Sequence, residues 1–322
     1  MIKKYLDIFY MARDFLRIMG GKDYFHQRQG LGRYFQDGCS YYNDLRGKVH
    51  WTGKYRNGVP VLFIPSKNNY IFFPVMILHY GLGSIDMYFY TSDSKYLGNI
   101  TRVYEWILNN INSKYYFDNL FLELDQDHEF YSNNSAMAQG EALSFLIRVF
   151  KYNLIGEKSN KIEDLIKNIF VNLIASIENN GTAIKKQDKV YFCECCRKDD
   201  YVILNGWIYA IFGLYDFNQY FKDEKSKQYL MATLKTLEND IKAYLLNNGW
   251  SYYDNKGRVC SPFYQDLHIN LINALYKLTN REVFKRAYHQ LKKGYTLFNR
   301  GRYTFAKIIE KFQENYKYTT QK

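Results

Sequence analysis

The sequence predicts a mainly α-helical fold in which helical hairpins stack into an incomplete (α/α) toroid, or open barrel, with a small β-hairpin element near the N-terminus. Three observations carry this prediction. Proline occurs at only four positions, and its scarcity favours long helices. Apolar residues recur at helical spacing along most of the chain. Related helical segments return roughly every 60 to 68 residues, a period long enough for a helix, a loop and a second helix.

The predicted helices are the segments whose apolar residues follow the helical period. In chain order they are residues 2–19, 73–81, 96–111, 136–152, 162–177, 201–217, 229–246, 267–278 and 281–291. Residues 50–65 differ, because β-branched and aromatic residues there surround Asn57-Gly58, a strong signal for a hairpin turn. We expect this hairpin to lie beside the open end of the toroid.

The repeat is visible in four segments that each end in an apolar-aromatic pair followed by a polar turn. They are residues 73–83, 138–152, 204–217 and 267–279. Units of this kind cannot bury their apolar faces alone, so they must stack on one another. We therefore predict a toroid over residues 71–322 and an N-terminal helical segment plus β-hairpin over residues 1–70, with the chemistry in loops at one end of the ring.

The composition is compatible with an acidic binding partner but does not identify one. The chain of 322 residues has a net charge of +12, and aromatic residues make up 19% of it, including 33 tyrosines. These values fit a cationic, aromatic-lined groove for an acidic polymer, and they equally fit a compositional bias that raises Lys, Asn, Ile, Tyr and Phe together. No helix-turn-helix, zinc-finger or RNP pattern is present, so we expect no nucleic acid partner.

Expectations about localisation and metal binding follow from sequence features that are missing. No apolar run reaches the length of a membrane helix, and charged residues interrupt residues 1–20, so we expect a cytoplasmic protein without a membrane partner. The five cysteines are odd in number, and three of them lie within residues 193–196, which argues against a disulfide framework. Because no second metal-binding pair follows them, we expect no metal.

Four stretches carry a resemblance to a known family. Residues 135–140 read SAMAQG, residues 202–216 read VILNGWIYAIFGLYD, residues 264–269 read YQDLHI, and residues 73–82 match more loosely. At these positions the sequence resembles the C-terminal domain of the D-glucuronyl C5-epimerases. The resemblance implies a cofactor-free isomerase that inverts carbon 5 of D-glucuronate to L-iduronate within a polysaccharide, such as a heparosan-like or capsule glycan.

This chemistry requires a base on one face of the sugar, an acid on the other, and a cation to neutralise the substrate carboxylate. The resemblance makes Tyr264 the first choice for base or acid and adds Tyr253 and Glu194 as catalytic candidates. Arg258 is the candidate for the carboxylate, since its planar fork holds such a group bidentately. The resemblance also makes His268 a substrate-binding candidate.

The main departure from the family pattern lies at Cys195, which stands where the family has a catalytic tyrosine. Three alternatives stay open. Cys195 serves as a thiolate base, Tyr191 reaches the same place through a shifted loop, or the chain no longer epimerises. Gln265 also replaces a family histidine, and Tyr80 joins Tyr191 as a substrate-binding candidate.

The leading hypothesis is an epimerase whose partner is an acidic polysaccharide, and a homodimer is kept open. One alternative is a polysaccharide lyase, which removes the same carbon-5 proton and then expels the oxygen at carbon 4. A second alternative is a catalytically divergent protein that binds polyanions, suggested by the charge of +12. A lyase shortens the polymer and leaves an ultraviolet-absorbing end, whereas an epimerase does neither.

Overall fold

Helices dominate the computed structural model, which describes residues 26–125, 127–156 and 160–320. In chain order the α-helices are α1 Tyr34–Asp37, α2 Pro74–Thr91, α3 Lys95–Asn110, α4 Ala136–Lys151, α5 Asn160–Ile174, α6 Leu204–Phe221, α7 Glu224–Asp240, α8 Pro262–Thr279, α9 Glu282–Gly294 and α10 Leu297–Thr320. Each predicted helix from residue 73 onward is confirmed, with small differences at the ends. The predicted residues that lie outside helices are 73, 111, 152, 175–176, 201–203, 245–246 and 281. The predicted helix 2–19 lies outside the described residues.

The helices form four successive hairpins, α2 with α3, α4 with α5, α6 with α7, and α8 with α9. The first helix of each hairpin packs against the first helix of the next, so α2, α4, α6 and α8 form an inner arc. The inner α4 is buried almost around its circumference, whereas α7 in the outer layer buries only one side. This arrangement confirms the predicted incomplete (α/α) toroid.

Because every outer helix returns the chain to the same end, the inner helices run parallel and begin at one rim of the arc. Pro74 and Pro262 occupy the first turns of α2 and α8, where a missing backbone N–H costs nothing. The Ser135 and Ser261 side chains cap α4 and α8 by accepting from the backbone N–H of Ala138 and Tyr264. These caps fix where the rim begins.

The tightest contact in the arc joins α4 to α6 through glycines. A Cβ at Gly140 would lie 2.5 Å from the backbone oxygen of Tyr209, and a Cβ at Gly213 would meet the backbone of Gly140. Both positions therefore need glycine for a close approach of backbones, not for a special backbone conformation. Gly140 is the last residue of the SAMAQG stretch, so packing explains its presence there.

Within the described ranges, three short antiparallel β-hairpins accompany the helices. They pair β1 Tyr55–Arg56 with β2 Val59–Pro60, β3 Leu62–Ile64 with β4 Asn69–Ile71, and β5 Ala183–Lys186 with β6 Lys189–Phe192. Asn57 and Gly58 both have positive φ, 52° and 75°, as the predicted turn requires. The strand β2 packs on α2 and α3, the hairpin that starts the arc.

The chain segment that contains Tyr41 and Tyr42, before β1, packs inside the arc of helices. The Tyr41 N–H donates to Asp86 of α2 at 2.7 Å, and the Tyr42 hydroxyl donates to Asp216 of α6 at 2.5 Å. Arg148 of α4 also donates to Asp216, at 2.6 Å. This segment therefore ties three inner helices together from within, and the boundary predicted at residue 70 stays a prediction.

Candidate functional site

The candidate site lies at the rim where the inner helices begin, and two loops build it. One loop follows β6 and leads into α6, and the other leads into α8. The N–H of Leu204 donates to the backbone oxygen of Tyr253 at 3.0 Å, and Ile203 forms a β-bridge with Asp254. This backbone pairing joins two segments that are distant in sequence.

Four of the predicted residues converge here, and we call them the rim cluster: Glu194, Tyr253, Arg258 and Tyr264. The rings of Tyr253 and Tyr264 meet edge to face with centroids 4.7 Å apart. The guanidinium carbon of Arg258 lies 5.2 Å from the centroid of the Tyr253 ring. Glu194 is close enough to change the pKa of both tyrosines. The cluster thus unites a carboxyl, two phenols and a guanidinium.

Within the rim cluster, Glu194 is the titratable group best matched to neutral pH. Its carboxyl packs against Gly206 in the first turn of α6, where any Cβ would collide with it. Its Oε2 atom is buried and accepts no hydrogen bond from the described residues. Burial raises the pKa of Glu194 to about 7, and the charge of Arg258 only partly opposes this. A carboxyl of this kind takes up and releases a proton near pH 7.

The two tyrosines, by contrast, keep their protons. Burial raises the pKa of Tyr264 to about 12, with a further upward contribution from Glu194. A hydrogen bond donated by Tyr253 and the charge of Arg258 act in the opposite direction without prevailing. The pKa of Tyr253 is raised well above its usual range by burial and by Tyr264. Both hydroxyls are therefore proton donors at neutral pH.

Arg258 is held by its own loop and by a residue that the sequence did not single out. Its Nε donates to Asp254 at 2.9 Å, and a second guanidinium nitrogen donates to the hydroxyl of Tyr201. The Arg258 side chain is 45% exposed, while that of Asp254 is 1% exposed. The buried carboxylate fixes the inner edge of the guanidinium, and the exposed part can meet a ligand. Tyr201 directly precedes the matched stretch 202–216, and this position was the sequence signal that could have identified it.

His268, predicted to bind substrate, lies beneath the rim cluster and is fully enclosed by protein. Its Nδ1 lies 2.9 Å from the Ser251 hydroxyl, which also donates to Gln265 at 2.8 Å. The Gln265 amide in turn donates to the backbone oxygen of Gly249 at 3.0 Å. Burial lowers the pKa of His268 to about 3, so the ring is neutral. This network positions the loop that carries Tyr253.

Cys195 neighbours the rim cluster, yet its thiol is poorly suited to act as a base. Burial and the nearby Glu194 raise its pKa well above the usual range, and the opposing effect of Arg197 is smaller. A thiolate at this position would need an activating cation stronger than the one it has. The structure therefore argues against the thiolate alternative.

Two further predicted site residues, Tyr191 and Tyr80, make their described contacts outside the rim cluster. The Tyr191 hydroxyl donates to Asp240 at the end of α7 at 2.6 Å, and its ring lies 5.1 Å from that of Trp207. Tyr80 faces Tyr55 of the first β-hairpin, with ring centroids 6.1 Å apart.

A second polar pair, which the sequence analysis missed, lies deeper in the arc. Nε2 of His79 on α2 is 2.6 Å from Oε1 of Glu141 on α4, and both side chains are buried. Burial and Lys48 lower the pKa of His79, while burial and Glu194 raise that of Glu141. The sequence signal that could have revealed this pair is Glu141, a charged residue at a core position of a helix, directly after SAMAQG.

Two observations on the described residues complete the description. Within the described ranges, no group of three or more histidine, cysteine or acidic side chains is placed to hold a metal ion. Of the helices described, none is both long and apolar enough to cross a membrane.

Comparison with known proteins gives one family match. The model of the family described as D-glucuronyl C5-epimerase C-terminus matches residues 123–293, more than half of the chain. This range contains the whole rim cluster as well as Glu141, whereas Lys48, His79 and Tyr80 lie before it. Among curated proteins, none matches this sequence significantly.

Solved structures show weaker similarities. An α-1,6-mannanase of Salegentibacter sp., in complex with α-1,6-mannotriose, is 11% identical with a TM-score of 0.49 over 78% of this chain and 68% of that one. A protein of Listeria innocua is 13% identical with a TM-score of 0.46 over 74% and 62%. Cellobiose 2-epimerase of Bacillus thermoamylovorans is 17% identical with a TM-score of 0.45 over 68% and 58%.

Proposed function

The chain belongs to the family of the D-glucuronyl C5-epimerase C-terminus, which makes it a carbohydrate epimerase, and on this premise we propose that it inverts carbon 5 of D-glucuronate within a polysaccharide. The observation that supports the proposal most is the rim cluster. A carboxyl with a pKa of about 7 lies there beside two protonated phenols and a half-exposed guanidinium. Epimerisation beside a carboxylate needs these three kinds of group.

In the proposed reaction Glu194 is the base. The hydrogen at carbon 5 is weakly acidic because it lies next to the substrate carboxylate. The ionised Glu194 carboxylate takes this proton, and the C–H electron pair moves into the carboxylate to give an enediolate-like intermediate. A base whose pKa lies near the working pH combines a large ionised fraction with useful basicity, and burial gives Glu194 that property.

The proposed acid is Tyr264. Its hydroxyl is protonated at neutral pH, so it can deliver a proton to the opposite face of carbon 5. The resulting phenolate is stabilised by the hydrogen bond from Tyr253 and by the charge of Arg258, the two groups that already act to lower the pKa of Tyr264. The cycle closes when the proton held on Glu194 returns to Tyr264, directly or through solvent.

The proposed role of Arg258 is to neutralise the substrate carboxylate. Without a cation, the second negative charge of the intermediate would make the barrier prohibitive. Asp254 and Tyr201 hold the inner edge of the guanidinium, which leaves its exposed part pre-oriented for a bidentate contact. The same arrangement gives preference to uronates over neutral sugars.

The proposed substrate is a heparosan-like or other uronate-containing polymer. The net charge of +12 favours a polyanion over a free uronate, because a polymer is attracted by many protein charges at once. An acidic polysaccharide is therefore the expected partner.

The test is incubation with candidate uronate polymers in deuterated water, followed by NMR of carbon 5. We expect deuterium to enter carbon 5 and iduronate signals to appear while the polymer keeps its length. Glu194→Gln should abolish both, whereas the matched control Tyr191→Phe should keep them, because the Tyr191 hydroxyl is bonded to Asp240. A shortened, ultraviolet-absorbing product would identify a lyase, and binding without exchange would identify a divergent polyanion-binding protein.

A further inference from the structure

Residues 26–29 lie against the start of α8, next to the rim cluster. Arg28 pairs with Asp266 of α8 at 3.4 Å. The side-chain oxygen of Gln29 accepts a hydrogen bond from the hydroxyl of Tyr209 on α6 at 3.0 Å. This short segment is therefore held to two of the inner helices, and its side chains have fixed neighbours at the candidate site.

The first residue of this segment, His26, borders the proposed acid. Its ring meets that of Phe263 edge to face with centroids 5.0 Å apart, and that of Tyr264 edge to face with centroids 6.4 Å apart. His26 is half-buried, so part of its surface meets solvent. The imidazole therefore contacts both solvent and the surroundings of Tyr264.

The proposed reaction leaves two residues that must be reset before the next turnover. Glu194 has gained the proton of carbon 5, and Tyr264 has lost a proton to the opposite face of the same carbon. The sugar lies between the two groups in this scheme and blocks direct transfer while it is bound. Tyr264 therefore needs another proton donor on its own side of the sugar.

The groups packed around Tyr264 differ in their ability to give it a proton. Burial raises the pKa of Cys260 to about 12 and that of Tyr253 well above its usual range, so both groups hold their protons. The guanidinium of Arg258 is not deprotonated in proteins. Histidine, by contrast, is the residue type that takes up and releases protons between about pH 5 and 8. Among these neighbours, His26 has the chemistry that the reset requires.

We propose that His26 relays protons from solvent to Tyr264 between turnovers of the epimerase. The protonated imidazole gives its proton to the phenolate, and the N–H electron pair stays on the ring nitrogen. Neutral His26 then takes a proton from water or buffer, while Glu194 releases the carbon-5 proton to solvent, so the proton count of the protein is unchanged over one cycle. Direct contact or one bridging water can carry such a transfer.

This inference rests on the proposed function and adds a residue that lies before the matched family range 123–293. The test compares His26→Ala with the wild type in steady-state assays of carbon-5 exchange at low buffer concentration. The kcat should fall at least about tenfold, because recovery of the Tyr264 proton becomes slow. The kcat/KM should change less than about twofold, because each encounter with substrate starts from a protonated Tyr264.

Chemical rescue separates a proton relay from a structural role. Free imidazole added to the assay should restore the kcat of His26→Ala to within about twofold of the wild-type value and leave the wild type unchanged. His26→Phe keeps an aromatic ring against Phe263 and should lose and regain kcat in the same way. The matched control is His289→Ala, an exposed histidine on α9, which should keep the wild-type kcat with or without imidazole.

Three results would overturn the relay. The first is a wild-type kcat in His26→Ala, and the second is a loss of kcat that imidazole does not restore. The third is a raised KM at unchanged kcat, which would make His26 a sugar-binding residue. If the wild type itself exchanges no deuterium, the proposed function fails and the relay fails with it, whereas each of the three results leaves the epimerase in place.

Discussion

Glu194 should make the folded protein less stable as pH rises, and removing its charge should reverse this. Its pKa is about 7 in the folded protein against 4.5 when unperturbed, so the folded state holds the proton more tightly. Between these pH values the unfolded state binds fewer protons, and stability therefore falls as pH increases. The penalty is small at pH 5, is complete above pH 7, and amounts to about 3 kcal/mol at pH 8.

Glu194→Gln removes this penalty while keeping the size of the side chain. Relative to the wild type, the variant should gain about 2.5 kcal/mol more stability at pH 8 than at pH 5. Urea unfolding followed by circular dichroism at the two pH values measures the difference. Glu224→Gln, at a side chain that is 71% exposed, controls for the change from carboxylate to amide. An equal effect of Glu194→Gln at both pH values would refute a buried carboxyl that titrates near 7.

Four further predictions test the site and the packing. Tyr264→Phe should lower carbon-5 exchange at least about 100-fold in the NMR assay with thermal stability retained, because it removes only the donor hydroxyl. Arg258→Lys should raise KM and lower kcat in steady-state assays, since an ammonium cannot hold a carboxylate bidentately. Cys195→Ser should keep the wild-type exchange rate, because a protonated thiol is not the base, and a collapse of exchange would restore the thiolate alternative. Gly140→Ala should destabilise the protein by about 3 kcal/mol in urea unfolding, since its Cβ would lie 2.5 Å from the backbone of Tyr209.

The repeat of apolar helices could be predicted because it reflects simple periodicity. The segments that became α2, α4, α6 and α8 each bury an apolar surface, and stacking follows from that requirement. The helix α10 was not predicted, since apolar residues on two opposite sides blur the helical period. The hairpin of β5 and β6 was missed for a related reason. Its turn has Gln187 at positive φ, 52°, in place of the usual Asn-Gly signal.

The site was only partly predictable, because its geometry depends on long-range pairing. Motif position selected Glu194, Tyr253 and Tyr264, which lie close together. Nothing local indicated that Ile203 pairs with Asp254 and joins the two loops. Motif position also cannot tell which partner a side chain contacts, and the bond of Tyr191 to Asp240 was not foreseen for that reason. The pair of His79 and Glu141 depends on a contact between two helices that no local pattern encodes.

The central claim is that Glu194 is the base of a carbon-5 epimerase, and a pH profile of deuterium exchange tests it most directly. The initial rate of exchange into carbon 5 of a uronate polymer, measured under kcat/KM conditions, should rise with pH and reach half of its maximum near pH 7. Below that point the rate should fall about tenfold per pH unit, as one ionising group requires. A rate that does not change between pH 5 and 8, or no exchange with any uronate polymer, would contradict the account.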